Sequence, residues 1–176
     1  NLRAQFPDCF IGYVCNKRAR AVVEFNPKIT RLYIYERDEL HALWQKSKRQ
    51  WFEKVRAVLE EIRQEKFDVV LDYSLNSNMG LLSWLVGIPR RVGLNYKNRG
   101  RFLTERIDIK GFSDQHVVEY YLGLLPVLAV PVRSKNLEVF VQESDRQWAA
   151  ETLAAKGLKP EDLAIALVPG AGASWG

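Results

Sequence analysis

Phe67-Asp68-Val69-Val70-Leu71-Asp72 is a run of mostly β-favouring residues whose apolar centre does not alternate. Such a run reads as a strand covered on both faces, the habit of a parallel sheet. Upstream, Trp51, Val55, Val58, Leu59 and Ile62 share one face of a helix, while Glu53, Lys54, Arg56, Glu60, Glu61 and Arg63 fill the other. Downstream, Asn76-Ser77-Asn78 can cap a second, very apolar helix over about residues 79–86, which Gly87 and Pro89 stop. Helix, strand, helix is the repeating unit of α/β architecture.

The same alternation extends in both directions. Residues 10–14 read as a buried strand, 17–23 as a short helix, Phe25-Asn26-Pro27 as a turn and 32–35 as a further strand. Arg91-Val92-Gly93 starts a short strand or turn. Gly111-Phe112-Ser113-Asp114 offers a cap to a helix bearing Val117, Tyr120, Tyr121, Leu124 and Leu125. Residues 137–141 alternate like a strand with one wet face, and Ser144-Asp145-Arg146-Gln147 reads as a capping box for a helix ending at Gly157. Last, the apolar run 163–168 breaks into Pro169-Gly170-Ala171-Gly172-Ala173-Ser174-Trp175-Gly176. The expected fold is α/β, a doubly wound parallel Rossmann-like sheet with helices on both faces, continuous to about residue 143. Asn1-Leu2-Arg3-Ala4-Gln5-Phe6-Pro7 reads as the tail of a helix without an initiator Met, and the chain stops before the helix that should follow its last strand. Both ends therefore read as cut.

The chain has 176 residues, 47% hydrophobic and 27% charged, the balance of a soluble globular domain with a real core. No apolar stretch approaches the ~20 residues of a membrane span. Cys9 and Cys15 fall in one expected strand, ~20 Å apart at ~3.3 Å per residue, beyond disulfide reach. With no Cys/His cluster either, a reducing cytosol and no structural metal are expected. A net charge of +5 favours an anionic partner: nucleic acid, an acidic membrane surface or a phosphorylated substrate.

Several groups are candidates for chemistry. A strand ending in a glycine-rich turn is how α/β proteins bring backbone N–H groups to a phosphate, so Gly170, Ala171, Gly172 and Ala173 are candidate donor-phosphate ligands. The turn lacks the Gly-Lys-Ser/Thr of a Walker A loop, and Trp175 stands where a dinucleotide fingerprint needs its third glycine. Asp72 lies at the carboxyl end of its strand, where open α/β sheets place ligands, and Asn76 and Ser77 share that edge with neutral groups suited to sugar hydroxyls. Helix capping explains them equally well. Lys97, Arg99 and Arg101, with Arg90 and Arg91 before them, crowd a segment able to clamp phosphates or carboxylates. Lys46, Lys48 and Arg49 form a second basic group. His116 reads as a packed, hydrogen-bonded residue, and no nucleophile elbow or thiol–imidazole pair is present.

Five segments in order resemble the family-9 glycosyltransferases, the ADP-heptose:lipopolysaccharide heptosyltransferases. They are Leu2-Arg3 with Phe6-Pro7, Phe67 to Asp72 followed by Ser and Asn, Gly87-Ile88-Pro89-Arg90-Arg91-Val92-Gly93, His116 with Tyr120-Tyr121 and Leu124-Leu125, and Pro169-Gly170-Ala171. The resemblance implies a GT-B arrangement of two Rossmann-like domains facing across a cleft. Residues 1–143 would be the N-terminal, acceptor-side domain without its first strand. Residues 144–176 would be the connection and the first strand of the nucleotide-sugar domain. The family's Gly-Asp loop, whose Asp is its expected base, would lie before Asn1, and its Lys-x-Trp-Pro segment beyond Gly176. No catalytic residue is therefore carried over, and no transfer is expected of these residues alone.

The implied reaction is an inverting, metal-independent transfer of heptose from ADP-heptose, with the nucleotide sugar as substrate and no cofactor. The implied acceptor is an anionic lipid A–Kdo core, which gives the basic segment of Lys97, Arg99 and Arg101 a role, with Asn76 and Ser77, in acceptor binding. The implied setting is cytoplasmic, in peripheral contact with the inner membrane and without nucleic acid. Two other classes stand beside it: a non-catalytic nucleotide- or sugar-binding α/β module, and a basic nucleic-acid-binding domain, for which no recognition motif is present.

Overall fold

A computed structural model describes residues 1–159 and 161–167. The Pro169–Gly176 turn, with Gly170, Ala171, Gly172 and Ala173, lies outside the described residues. The chain divides into two compact units, Asn1–Glu138 and one that begins at Val139. The first unit runs α1 (Leu2–Gln5), β1 (Gly12–Cys15), α2 (Lys17–Val23), β2 (Arg31–Ile34), α3 (Arg37–Lys46), α4 (Lys48–Gln64), β3 (Val69–Asp72), α5 (Ser77–Val86), β4 (Arg90–Tyr96), β5 (Glu105–Ile109) and α6 (Val117–Leu122). The second holds α7 (Glu143–Ala155).

Every strand pair is parallel, but the strands form two sheets rather than the single one expected. One is β1-β2 and the other β3-β4-β5. A ladder needs backbones about 4.8 Å apart. Phe67, just before β3, packs its ring 5.7 Å from that of Phe10 and 6.2 Å from that of Tyr33. It leaves no room over Gly12, where a Cβ would sit 2.5 Å from the ring. Phe67 thus packs its ring against residues in and beside the two-stranded sheet, just ahead of β3.

The helix boundaries follow local chemistry. The Asn76 side chain accepts from the Asn78 and Met79 amides at the start of α5, at 2.9 and 3.2 Å. At its other end Gly87 adopts φ +91, and the Ile88 amide donates to the Ser83 carbonyl at 3.1 Å, satisfying groups the helix leaves open. Two expectations fail nearer the carboxyl terminus. Residues 137–141 and 163–167 form no strand, because alternation or apolarity alone makes none without a neighbouring ladder among the described residues. In α7 the helix starts one residue before Ser144, and the cap position falls on Gln142, which makes no side-chain cap bond. Ser144 Oγ instead donates to Gln142 Oε1 at 3.3 Å.

The core is built on β4. Val92 and Leu94 point to one face and pack with Tyr120 and Leu124 from and just after α6, joined by Val69, Leu71 and Ile107. Val92 and Leu124 are fully buried, each contributing about 1.5–3 kcal/mol. The opposite face of β4 carries Arg91, Gly93 and Asn95. It is covered by α5 and by the chain's return from β4 to β5, residues 97–104. This return is too short for a helix, so its backbone groups find partners on β4 itself. Asn95 Oδ1 accepts from the Gly100 amide at 2.8 Å, and Arg91 Nε donates to the Phe102 carbonyl at 2.7 Å. Gly93 is obligatory here, since a Cβ would stand 2.7 Å from the Asp72 carbonyl oxygen. Both faces of the sheet are thus covered, as a doubly wound fold requires.

Asn95→Ala should destabilise this unit by about 2 kcal/mol, because it leaves the buried Gly100 amide without an acceptor. Urea unfolding of the chain, with an unchanged m-value, is the measurement. An unaltered midpoint would show that the return does not depend on this bond.

Candidate functional site

The carboxyl ends of parallel strands are where helices begin and where an open α/β sheet offers its crevice. Here β1 leads into α2 through Asn16, whose side chain accepts from the Ala19 amide at 2.8 Å. β2 leads into α3 through Tyr35 and Glu36. β3 leads into α5 by three linked side chains. Asp72 Oδ1 accepts from the Ser74 amide at 2.8 Å, Ser74 Oγ from the Asn76 amide at 3.4 Å, and Asn76 caps α5. The link carries Leu75 through a left-handed turn, φ +57.

Between these ends lies a cavity of about 390 Å³. Val14, Cys15 and Asn16 line it from β1, Tyr35 to Asp38 from the end of β2, and Asn76 and Met79 from α5. Two asparagine amides, the Glu36 and Asp38 carboxylates and the Arg37 guanidinium around a partly apolar floor offer both donors and acceptors, as a hydroxyl-rich group requires. A second cavity, about 300 Å³, opens at the amino edge beside Arg63, Phe67 and Pro89, away from where such sheets bind ligands.

Electrostatics excludes one candidate nucleophile. Burial pushes the Cys15 thiol up, and the nearby Arg20 offsets this only in part while Glu36 adds to it, so the group stays a neutral thiol. Beside the cavity Lys17 pairs with Glu39, whose carboxyl is lowered first by that hydrogen bond and then by the Lys17 charge and by Lys54. Three phenols gather at the same edge. Tyr73 packs edge-on against Tyr121 with centroids 5.1 Å apart, and burial, with Tyr13 and Tyr121 nearby, raises Tyr73 to about 12. Among the described residues no group of three or more His, Cys, Asp or Glu is placed to hold a metal ion.

Of the residues singled out from sequence, Asn76 lines the cavity and Ser77 opens α5 beside it. Lys97, Arg99 and Arg101 do not line it. Lys97 stands in the turn after β4, its ammonium 5.0 Å over the Tyr96 ring. The Arg99 amide donates to the Tyr96 carbonyl at 3.2 Å. Arg101 lies 4.8 Å over Phe102, whose ring meets Trp84 near the far end of α5. Arg90 and Arg91 are engaged internally. Arg90 pairs with Glu105 at 2.5 Å and donates to the Val127 carbonyl, while Arg91 holds the Ile88 and Phe102 carbonyls. His116 caps α6, its Nδ1 accepting from the Val118 amide at 3.3 Å. Sequence reading missed Asn16, Glu36, Arg37 and Asp38. Their position directly after two apolar strands was the signal, because that is where a parallel sheet exposes side chains to a ligand.

The sequence matches no protein-family model and no curated protein. The fold does match solved structures. A family-9 glycosyl transferase from Veillonella parvula DSM 2008 superposes with a TM-score of 0.73 at 24% identity, covering 96% of this chain and 48% of that one. E. coli ADP-heptose lps heptosyltransferase II superposes with a TM-score of 0.61 at 16% identity, covering 91% and 45%. The chain therefore has the fold of a family-9 glycosyltransferase and spans about half the length of the structures it matches.

The phenol at Tyr73 should be among the last to ionise. Absorbance at 295 nm during alkaline titration should contain a component near pH 12 that Tyr73→Phe removes. Because the folded-state value lies above the unfolded one, stability should hold below pH 10 and fall as pH rises from 10 to about 12. If Tyr73→Phe instead removes a component near pH 10, the phenol is not shielded.

Proposed function

We propose that the protein carrying this chain is a glycosyltransferase that moves heptose from ADP-heptose to the inner core of lipopolysaccharide, by an inverting and metal-independent reaction. The observation that carries this reading is the glycosyltransferase fold, matched over 96% of the chain. The chain supplies the acceptor side. Its cavity at the carboxyl edge takes hydroxyls of a lipid A–Kdo acceptor against Asn76, Ser77 and their neighbours. Lys97, Arg99 and Arg101 meet anionic groups of the same acceptor farther out.

An inverting transfer needs a base at the acceptor hydroxyl and electrostatic relief of the diphosphate leaving group. Gly170, Ala171, Gly172 and Ala173 offer backbone N–H groups for the second task, their small side chains letting phosphate approach. The base is not assigned to any residue of this chain. The protein works in the cytoplasm in peripheral contact with the inner membrane, where its acceptor is anchored.

The test is release of ADP by the intact protein, given ADP-heptose and a Kdo-bearing lipid A acceptor. Turnover is expected, and the triple replacement of Lys97, Arg99 and Arg101 by Ala should raise the acceptor KM while leaving the donor KM nearly unchanged. Asn76→Asp keeps a helix cap but adds a negative charge beside the cavity, so it too should raise the acceptor KM severalfold without loss of stability. No turnover with any of a panel of sugar nucleotides would overturn the assignment.

A further inference from the structure

The most unusual surface of the first unit lies away from the cavity, at the corner where α3 meets α4. Ser47 alone makes the turn. Its amide donates to the Leu43 carbonyl at 2.8 Å to close α3, and its Oγ accepts from the Gln50 amide to start α4. The corner is therefore rigid. On it Trp44 is 42% exposed and Phe52 61% exposed, both unusual for aromatic residues at a helix–helix junction. Trp44 is held edge-on against Trp51 with centroids 4.9 Å apart, and Lys48 lies 5.4 Å over its outer face. Lys48, Phe52 and Arg56, at i, i+4 and i+8, form one stripe along α4.

Charge at the corner is one-sided. Among the described residues Lys46, Lys48 and Arg56 have no carboxylate partner, while Arg49 pairs with Glu53 and Lys54 reaches Glu39. The corner also projects beyond the sheet. Glu61 meets Arg31 at the amino end of β2, and Lys48 lies 13 residues back along α4, about 20 Å at 1.5 Å per residue. β2 itself spans only about 10 Å. The corner thus stands past the carboxyl edge, on the side where the cavity opens.

We infer that this α3–α4 corner is a docking surface for an anionic lipid bilayer. Exposed Trp and Phe amid unpaired Lys and Arg are what an interface between headgroups and acyl chains accommodates: rings at the boundary, cations at the phosphates. A protruding, rigid corner suits a fluid bilayer, which deforms around it. An extended peptide docks in a groove, and neither cavity described above reaches these residues; the unpaired Lys46, Lys48 and Arg56 complement an anionic leaflet. No helix among the described residues is long and apolar enough to cross a membrane. Docking in this orientation turns the carboxyl edge toward the lipid surface. The inference names the surface for the membrane contact proposed above and does not need sugar transfer to be correct.

Co-flotation with vesicles of phosphatidylglycerol and phosphatidylcholine, without nucleotide sugar or acceptor, reads binding separately from transfer. Binding should require the anionic lipid and weaken with salt. Each cation near such a leaflet contributes about fivefold in partitioning, so Lys46→Gln with Lys48→Gln should weaken binding about 25-fold. Phe52→Ser should weaken it about tenfold through loss of ring insertion. These side chains are exposed, and unchanged thermal unfolding will verify that each variant folds. Equal binding to pure phosphatidylcholine overturns the inference. So does binding that survives the substitutions, and so does equally tight binding of an oligonucleotide or an acidic peptide lost in the same variants.

Discussion

A parallel strand at the centre of a sheet must lose water on both faces, and the first unit is organised around meeting that demand at β4. On one face the solution is apolar: Val92 and Leu94 against Tyr120 and Leu124. On the other, residues 97–104 return to β5 without a helix, so their backbone polar groups come down onto the sheet. Burying an unpaired amide or carbonyl costs about as much as several methylene groups gain. β4 therefore carries Asn95 and Arg91 on that face, each spent on a carbonyl or amide of the return. Asn95 also donates to Asp108 at 2.5 Å, tying the return to β5. Gly93 then lets the neighbouring strand approach.

This accounts for what sequence reading could and could not establish. The strand at Val69–Asp72, the amphipathic α4 and the capped α5 were legible because each rests on local rules: unbroken apolarity, a 3.6-residue period, an Asn before and a Gly after. α3 and β5 were not. Arg37–Lys46 has a narrow apolar face, and Glu105–Ile109 alternates charge with isoleucine, so each is stabilised by what it packs against. The division into two sheets was invisible for the same reason, since no local rule says which strands share a ladder.

The Gly87–Gly93 segment, which carried much of the family resemblance, proves to be architectural. Gly87 closes α5, Ile88 is buried, Arg90 bridges Glu105 and the Val127 carbonyl, Arg91 holds the return, and Gly93 admits Asp72. A motif of this kind follows fold faithfully and says little about chemistry. That is why the resemblance agrees with the solved folds although most residues that line the cavity lie elsewhere, around the short links after β1, β2 and β3. Such links have no periodicity to reveal them, and only the arrangement of strand ends brings Asn16, Glu36 and Asn76 around one cavity.

The same strand ends set the charge around the cavity. Three helices begin around the cavity, and their N-terminal dipoles favour negative charge there. Asn16 and Asn76 meet that preference with neutral oxygens, while α3 meets it with Glu36 beside its start and Asp38 and Glu39 in its first turn. Lys17 beside the cavity is paired with Glu39, while Arg37 in its lining has no carboxylate partner among the described residues. Further unpaired cations lie along α4. The 17 residues of α4 carry Lys48 and Phe52 past the carboxyl edge, with Arg56 one turn further along, while Val55 and Leu59 lie half-buried beside them.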